Sequence, residues 1–241
     1  MMPVLLACAT ELEAQPVLER LQETETHELT GGVTVHRGRL AGVPCDLAIV
    51  GVGKAAAAAG TAVALASQPS GYSVCVSIGL AGVYTGEFVP VGATVVAAED
   101  VDLDGGALNT SGRTSLETIG LARLPATRTS EAVYDLIETD RAWRERFAAS
   151  SGVVPLRFAT SDAVSADLDT AEARRVACEA AIESMEGHAV GLTAARFGVP
   201  FAEVRAVSNA AGVRDKDAWQ IRGPLRKLAT VLEATLKAYA S

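Results

Sequence analysis

IESMEGHAVGLTAARFGVPFAEVRAVSN, from Ile182 to Asn209, decides the reading of this 241-residue chain. It begins with a short acidic lead-in. Ala189, Val190, Leu192, Ala194, Ala195 and Phe197 then recur at roughly helical spacing, which predicts a helix. Gly198 suits the position just past a helix end, and Pro200 cannot continue the helix. Phe201 to Val207 is apolar and partly alternating, the pattern of a strand. Glu186 is therefore expected at a helix N-terminus, and Ser208-Asn209 just past the carboxyl end of a strand. In open α/β sheets that rim holds ligands. Glu186 could equally do no more than complement the helix dipole.

Outward from this stretch, strands alternate with helices. Pro3 to Ala9 is a continuous apolar run suited to a buried strand. Thr10 and Glu13 follow at capping-box spacing, so a helix should run to about Leu21. Glu13 has a structural use there, and the same turn also delivers its carboxylate to the rim that holds Asn209. Glu11 is a weaker candidate. Val33–Leu40 and Pro44–Val50 read as strands joined at Ala41-Gly42, and an alanine-rich helix follows Gly51-Val52-Gly53-Lys54. That GxGK lacks the full phosphate-loop pattern; Gly53 is expected to serve packing and Lys54 to lie at the surface. Ser73–Ile78 is a strand ending in Gly79-Leu80-Ala81-Gly82-Val83, small residues that let a backbone approach a ligand.

Ala93–Ala98 reads as a strand leading into Glu99, Asp100, Asp102 and Asp104. Their spacing is not that of a calcium loop, and a solvated acidic loop is expected. Residues 105–133, rich in Gly, Ser, Thr and Arg, read as a long mobile loop. Further elements are a helix at 141–148, a strand at Val153–Ala159, a helix at 169–180 and a closing amphipathic helix at 223–239. The fold class is α/β: one domain over residues 1–241, a central mixed, mostly parallel sheet and helices on both faces.

Several of these segments, in order, resemble the nucleoside phosphorylase and nucleosidase superfamily. Its members carry a Met-Glu pair before such a helix, a Ser-Asp or Ser-Asn pair after the next strand, a GVGK turn and a Gly-rich loop. Phe158 to Val164 (FATSDAV) resembles its Ala-Thr-Gly-Asp-Ala segment. The resemblance implies that Met185 and Glu186 contact ribose and that Asn209, beside Ser208, contacts the base. It further implies that Gly79, Leu80, Ala81 and Gly82 line the nucleoside site, that Val164 stacks on the base, and that Glu13 is catalytic. Leu80 stands where the family has a hydroxyl residue, so backbone contacts would have to serve.

Cleavage of an N-glycosidic bond passes through a ribosyl cation-like state. That chemistry suits Glu186 near the sugar, Glu13 polarising the nucleophile and Asn209 holding the departing base. The first loop, Ala9 to Glu13, has no Gly, Arg or Lys to bind phosphate, so water is the expected nucleophile. An Asn amide can hydrogen-bond to O6 and N7 of a 6-oxopurine. RDKDAW, Arg214 to Trp219, is similar to one branch of the superfamily, the futalosine hydrolases of menaquinone biosynthesis, which release hypoxanthine. Arg214 and Lys216, with Trp219 as an aromatic wall, are candidates for the carboxylate on the far side of that substrate. Hydrolysis of methylthioadenosine or S-adenosylhomocysteine, with Asp215 as the acid, and non-catalytic nucleoside binding are the alternatives.

Composition bounds the rest. A net charge of −8 argues against nucleic acid as partner. No run of 18 apolar residues suggests a membrane span, and Glu11 and Glu13 interrupt the start before any signal-peptide pattern develops. Four scattered cysteines point to buried thiols in a reducing cytoplasm. No cofactor or metal is expected. The partner is a purine nucleoside, and the resemblance suggests a homodimer.

Overall fold

The computed structural model describes residues 1–241 except Ser111, Arg128 and Thr129, which belong to the stretch read as a mobile loop. In chain order the elements are β1 (Val4–Cys8), α1 (Glu11–Leu18), β2 (Gln22–Leu29), β3 (Val33–Leu40), β4 (Val43–Ile49), α2 (Lys54–Ala66), β5 (Val74–Val83) and β6 (Thr94–Asp102). The small antiparallel pair β7 (Ala107–Asn109) and β8 (Gly112–Thr114) follows, then α3 (Leu116–Ile119), β9 (Leu136–Glu138), α4 (Arg141–Ser151) and β10 (Leu156–Thr160). The last part comprises α5 (Leu168–Cys178), β11 (Ile182–Ser184), α6 (Gly187–Arg196), β12 (Phe201–Ala210), a 3-10 turn at Lys216–Ala218 and α7 (Arg222–Ala240).

Ten strands form one mixed sheet in the order β11-β10-β6-β12-β5-β1-β4-β3-β2, with β9 on β6. Strands β4, β1, β5 and β12 run parallel at its heart. On one side the sheet closes on itself. β12 pairs antiparallel with β6, β6 and β10 are parallel, β10 and β11 are parallel, and β11 returns antiparallel to β5. The ring β5-β12-β6-β10-β11 is thus a small barrel, and its closure removes two exposed edges.

Alternation along β1 shows how both faces are filled. Val4, Leu6 and Cys8 point into a core completed by α1, α4 and α7, which contribute Val17, Phe147, Leu228 and Leu232. Leu5 and Ala7 face the opposite core under α2 and α6, with Ala57, Ala64 and Val190. A strand buried on both faces reads as a continuous apolar run.

The structure departs from the sequence reading in five places. β2 (QETETHEL) has no apolar alternation and went unread; it is an exposed edge strand whose charges suit that place. Glu99 to Asp104 is not a solvated loop, because β6 continues through Asp102, and Asp100 and Asp102 are buried. Lys54 is not a free surface residue: its Nζ lies 2.7 Å from Asp102 and 2.6 Å from Asp104, and its side chain is mostly covered. Ser208 and Asn209 lie within β12, not beyond it. Residues 105–133 also hold the β7–β8 pair and α3.

Candidate active site

A cavity of about 390 Å³ opens where the ends of β1, β5 and β12 meet β11. That volume fits a small-molecule site. Glu13, Leu80, Ala81, Gly82, Val164, Met185, Glu186, Ser208, Asn209, Arg214, Lys216 and Trp219 all line it. Gly79 stands behind the lining, and the lesser candidates Glu11 and Asp215 do not line the cavity either.

Glu13 keeps its capping-box place and is nevertheless turned inward. One oxygen accepts from the Thr10 amide and hydroxyl at 3.1 and 2.9 Å, while Oε1 reaches across to the Leu80 amide at 2.9 Å. Burial pushes its carboxyl above the ordinary glutamate value, against the opposing pull of the Leu80 amide and Arg205. Gly79 makes the crossing possible. At φ +152° it has no side chain, and a Cβ there would sit 2.6 Å from Glu13 Oε1 and 2.8 Å from an Arg205 nitrogen.

Glu186 occupies the N-cap of α6, yet its side chain makes no capping bond. Oε1 accepts from the Gly53 amide at 3.1 Å, and Oε2 pairs with Arg205 at 3.3 Å. The glycine of the GVGK turn therefore serves the site as well as packing. Glu186 approaches from a segment running against β5, so the site is assembled across the barrel seam rather than on one parallel rim.

Arg205 was not anticipated. It is fully buried in β12, with Nε 2.8 Å from Glu203 and an NH2 group 2.9 Å from Ser77 Oγ. Burial works against its charge, but Glu203, Glu186 and Glu13 more than offset this and raise its pKa. Glu203 in turn lies beside the Asp100 carboxylate. Burial and then the Glu203 charge hold the Asp100 carboxyl well above its ordinary value. The signal was present in the sequence: Glu203 and Arg205 share one face of an otherwise apolar strand. Glu203 and Asp100 sit close under Gly187, where a Cβ would fall 2.2 Å from Glu203 and 2.3 Å from Asp100.

At the far wall, β12 carries a bulge. Val207 pairs with Ala81 and Asn209 with Gly82, which makes Ser208 the extra residue. Bulges re-aim side chains, and both Ser208 and Asn209 reach the cavity. Asn209 Oδ1 lies 2.7 Å from Ser208 Oγ, and Nδ2 donates to Ala210 O at 2.8 Å, which leaves one amide hydrogen over. Beyond it, the Arg214 guanidinium stacks 5.1 Å from the Trp219 ring, whose Nε1 donates to Val213 O. Glu183, also unread, lines the cavity beside Ser165. Among the described residues no His, Cys, Asp and Glu cluster is arranged to hold a metal, and no helix is long and apolar enough to cross a membrane.

The sequence profile of the phosphorylase superfamily matches residues 3–241. The chain is 34% identical to a futalosine hydrolase of Streptomyces coelicolor, with 97% of each protein covered. It is 32% identical to one of Acidothermus cellulolyticus, over 93% of this chain and 86% of that protein. Among solved structures, a methylthioadenosine/S-adenosylhomocysteine nucleosidase of Neisseria meningitidis superposes with a TM-score of 0.81 at 19% identity, covering 99% of this chain and all of the other. A futalosine hydrolase of Helicobacter pylori gives 0.80 at 20%, covering 98% of each.

Replacing Arg205 leaves buried carboxylates without their cation. Arg205→Met should cost about 3–5 kcal/mol of stability in urea unfolding. A loss under about 1 kcal/mol would show that the carboxylates neutralise themselves by taking up protons.

Proposed function

We propose that this chain, which belongs to the phosphorylase superfamily, hydrolyses the N-glycosidic bond of futalosine and releases hypoxanthine and dehypoxanthine futalosine. The hydrolytic reading rests on one observation: the inner cavity is acidic. Glu13, Glu183 and Glu186 line it, while Arg205 behind them is already matched by carboxylates. Phosphate would be repelled there, and water suits it. The choice of futalosine rests on the likeness to the Streptomyces and Acidothermus enzymes along nearly the whole chain and on an amide, not a carboxylate, at position 209.

In this mechanism Glu186 and Met185 hold the ribose, with Glu186 stabilising positive charge as it grows on the sugar. The C1′–N9 bond breaks, and its electron pair leaves with the base. Water bonds to C1′ and passes its proton to Glu13. Asn209, 8% exposed at the cavity wall, donates its free amide hydrogen to the O6/N7 edge, where the departing hypoxanthine gathers charge. Leu80, Ala81 and Gly82 offer backbone to the nucleoside, and Val164 covers the ring. Release of adenine would favour a proton donor at position 209, and Asn is a poor one. Arg214, stacked on Trp219 beside Lys216, faces the mouth of the cavity and suits the carboxylate at the far end of futalosine.

A homodimer in the cytoplasm belongs to the same reading. The four cysteines are buried and unpaired, and Leu12 and Val52 stand exposed on the cavity lining. Sedimentation at micromolar concentration giving only monomer would remove the dimer.

Purified protein given futalosine should release hypoxanthine at a rate indifferent to phosphate. Formation of a ribose 1-phosphate derivative would overturn the hydrolytic reading. Glu13→Gln should lower kcat by about 10²–10⁴ in a folded protein. Because Glu13 must be deprotonated and its pKa is raised, kcat/KM should climb through an acid limb above the ordinary glutamate range. Near-normal turnover in the variant would leave Glu13 only its capping role.

Asn209→Asp places a carboxylate opposite two acceptors. The kcat/KM ratio should move toward 6-aminopurine nucleosides by about 1–3 kcal/mol, and an unchanged ratio means that Asn209 does not read the base. Arg214→Ala or Lys216→Ala should raise KM for futalosine while sparing inosine, which has no distal carboxylate. If neither does, that carboxylate is held elsewhere.

A further inference from the structure

Glu183 is a charged residue in a three-residue buried strand, and no step above requires it. Register explains where it points. Glu183 of β11 pairs with Gly82 of β5, and Gly82 pairs on its other side with Asn209 of β12. Residues paired across strands project to the same face. Glu183 and Asn209 therefore flank one glycine, over which Ala211 packs at 3.3–3.4 Å from where a Cβ would stand. Both line the cavity, together with Val164 and Ser165.

The carboxylate is rigidly held. Oε1 accepts from the Ser165 hydroxyl at 2.6 Å, from Arg174 at 2.9 Å and from the Tyr84 hydroxyl at 3.2 Å. Oε2 accepts only the Ser165 amide, at 2.9 Å. A carboxylate has about four acceptor positions, so the open one is on Oε2. The Ser165 amide, the nearby donor that could meet an acceptor on a ligand, is already taken by Glu183. This wall of the cavity thus presents an acceptor, and the Asn209 wall presents a donor.

We propose that Glu183 is a second base-reading residue, accepting a hydrogen bond from N1–H of a 6-oxopurine whose O6/N7 edge faces Asn209. The assignment rests on the nucleosidase reading and deepens it. Hypoxanthine offers a donor at N1 beside an acceptor at position 6, the complement of these two walls. Adenine reverses both: its N1 is an acceptor and would face the Glu183 carboxylate with no hydrogen between them. Discrimination of this kind is strong because a buried polar group is left unpaired by the wrong ligand. Arg174, Tyr84 and Ser165 are positioning residues, since they hold Glu183 without touching the base.

Calorimetric titration of the intact protein with hypoxanthine, 1-methylhypoxanthine and adenine tests this. The unaltered protein should bind 1-methylhypoxanthine, which lacks the N1 proton, about 10- to 100-fold more weakly than hypoxanthine. Glu183→Gln can turn either an acceptor or a donor to N1, so it should narrow the hypoxanthine-to-adenine preference by about 10-fold or more. Equal binding of hypoxanthine and its 1-methyl derivative overturns the proposal. So does an unchanged preference in a Glu183→Gln protein with a native thermal transition, whatever the methyl group does. If that variant does not fold, the 1-methyl comparison decides. Release of hypoxanthine from futalosine alongside either negative result removes Glu183 alone. Failure to bind or release any purine removes the nucleosidase reading with it.

Discussion

A guanidinium buried in the middle of a strand is the constraint around which the rest is arranged. Arg205 has no exposed surface, and a charge taken out of water is tolerated only with well-placed partners. Each partner comes from a different part of the chain: Glu203 from its own strand, Glu186 from the head of α6, Ser77 from β5. Meeting that requirement fixes how β12, β5 and α6 sit against one another. The arrangement of the cavity wall is thus a by-product of solving an electrostatic problem. Asp100 adds to that problem beside Glu203, and burial with the Glu203 charge holds its carboxyl well above its ordinary value.

The same network explains the glycines at 79 and 187. Each stands where a methyl group would displace a carboxylate oxygen or a guanidinium nitrogen. Neither is needed for a turn of the chain. They are gaps through which charged groups from neighbouring layers meet, which is why β5 can remain a strand at Gly79 while Glu13 passes its edge to reach Leu80.

Much of this was legible in the sequence. The apolar run of β1, the Thr10–Glu13 cap, the α6 periodicity and the Gly198-Val199-Pro200 break are local signals, and the structure keeps all four. The parts that escaped reading depend on distant partners. β2 is polar throughout because it is an edge, so only its pairing with β3 makes it a strand. Lys54 and the acidic run of β6 look solvated when read singly; brought together, they neutralise one another at 2.6–2.7 Å. Glu183 lies in a strand too short to show a period, and its direction follows from β5 and β12 pairing around it. The bulge at Ser208 likewise has no local mark, since it is a mismatch of length between two strands.

Closure of the barrel through β11 also separates two duties. Arg205 is paired with Glu186, and Glu13 and Arg205 are both bonded to the backbone of Leu80 in β5, so changing any one disturbs its neighbours. Glu183 and Asn209 stand on opposite sides of Gly82 and share no hydrogen bond with that group. Mutation can therefore explore one wall while the other machinery keeps its geometry. A cavity divided in this way can take a new ligand through a few substitutions on one wall, the other being inherited intact.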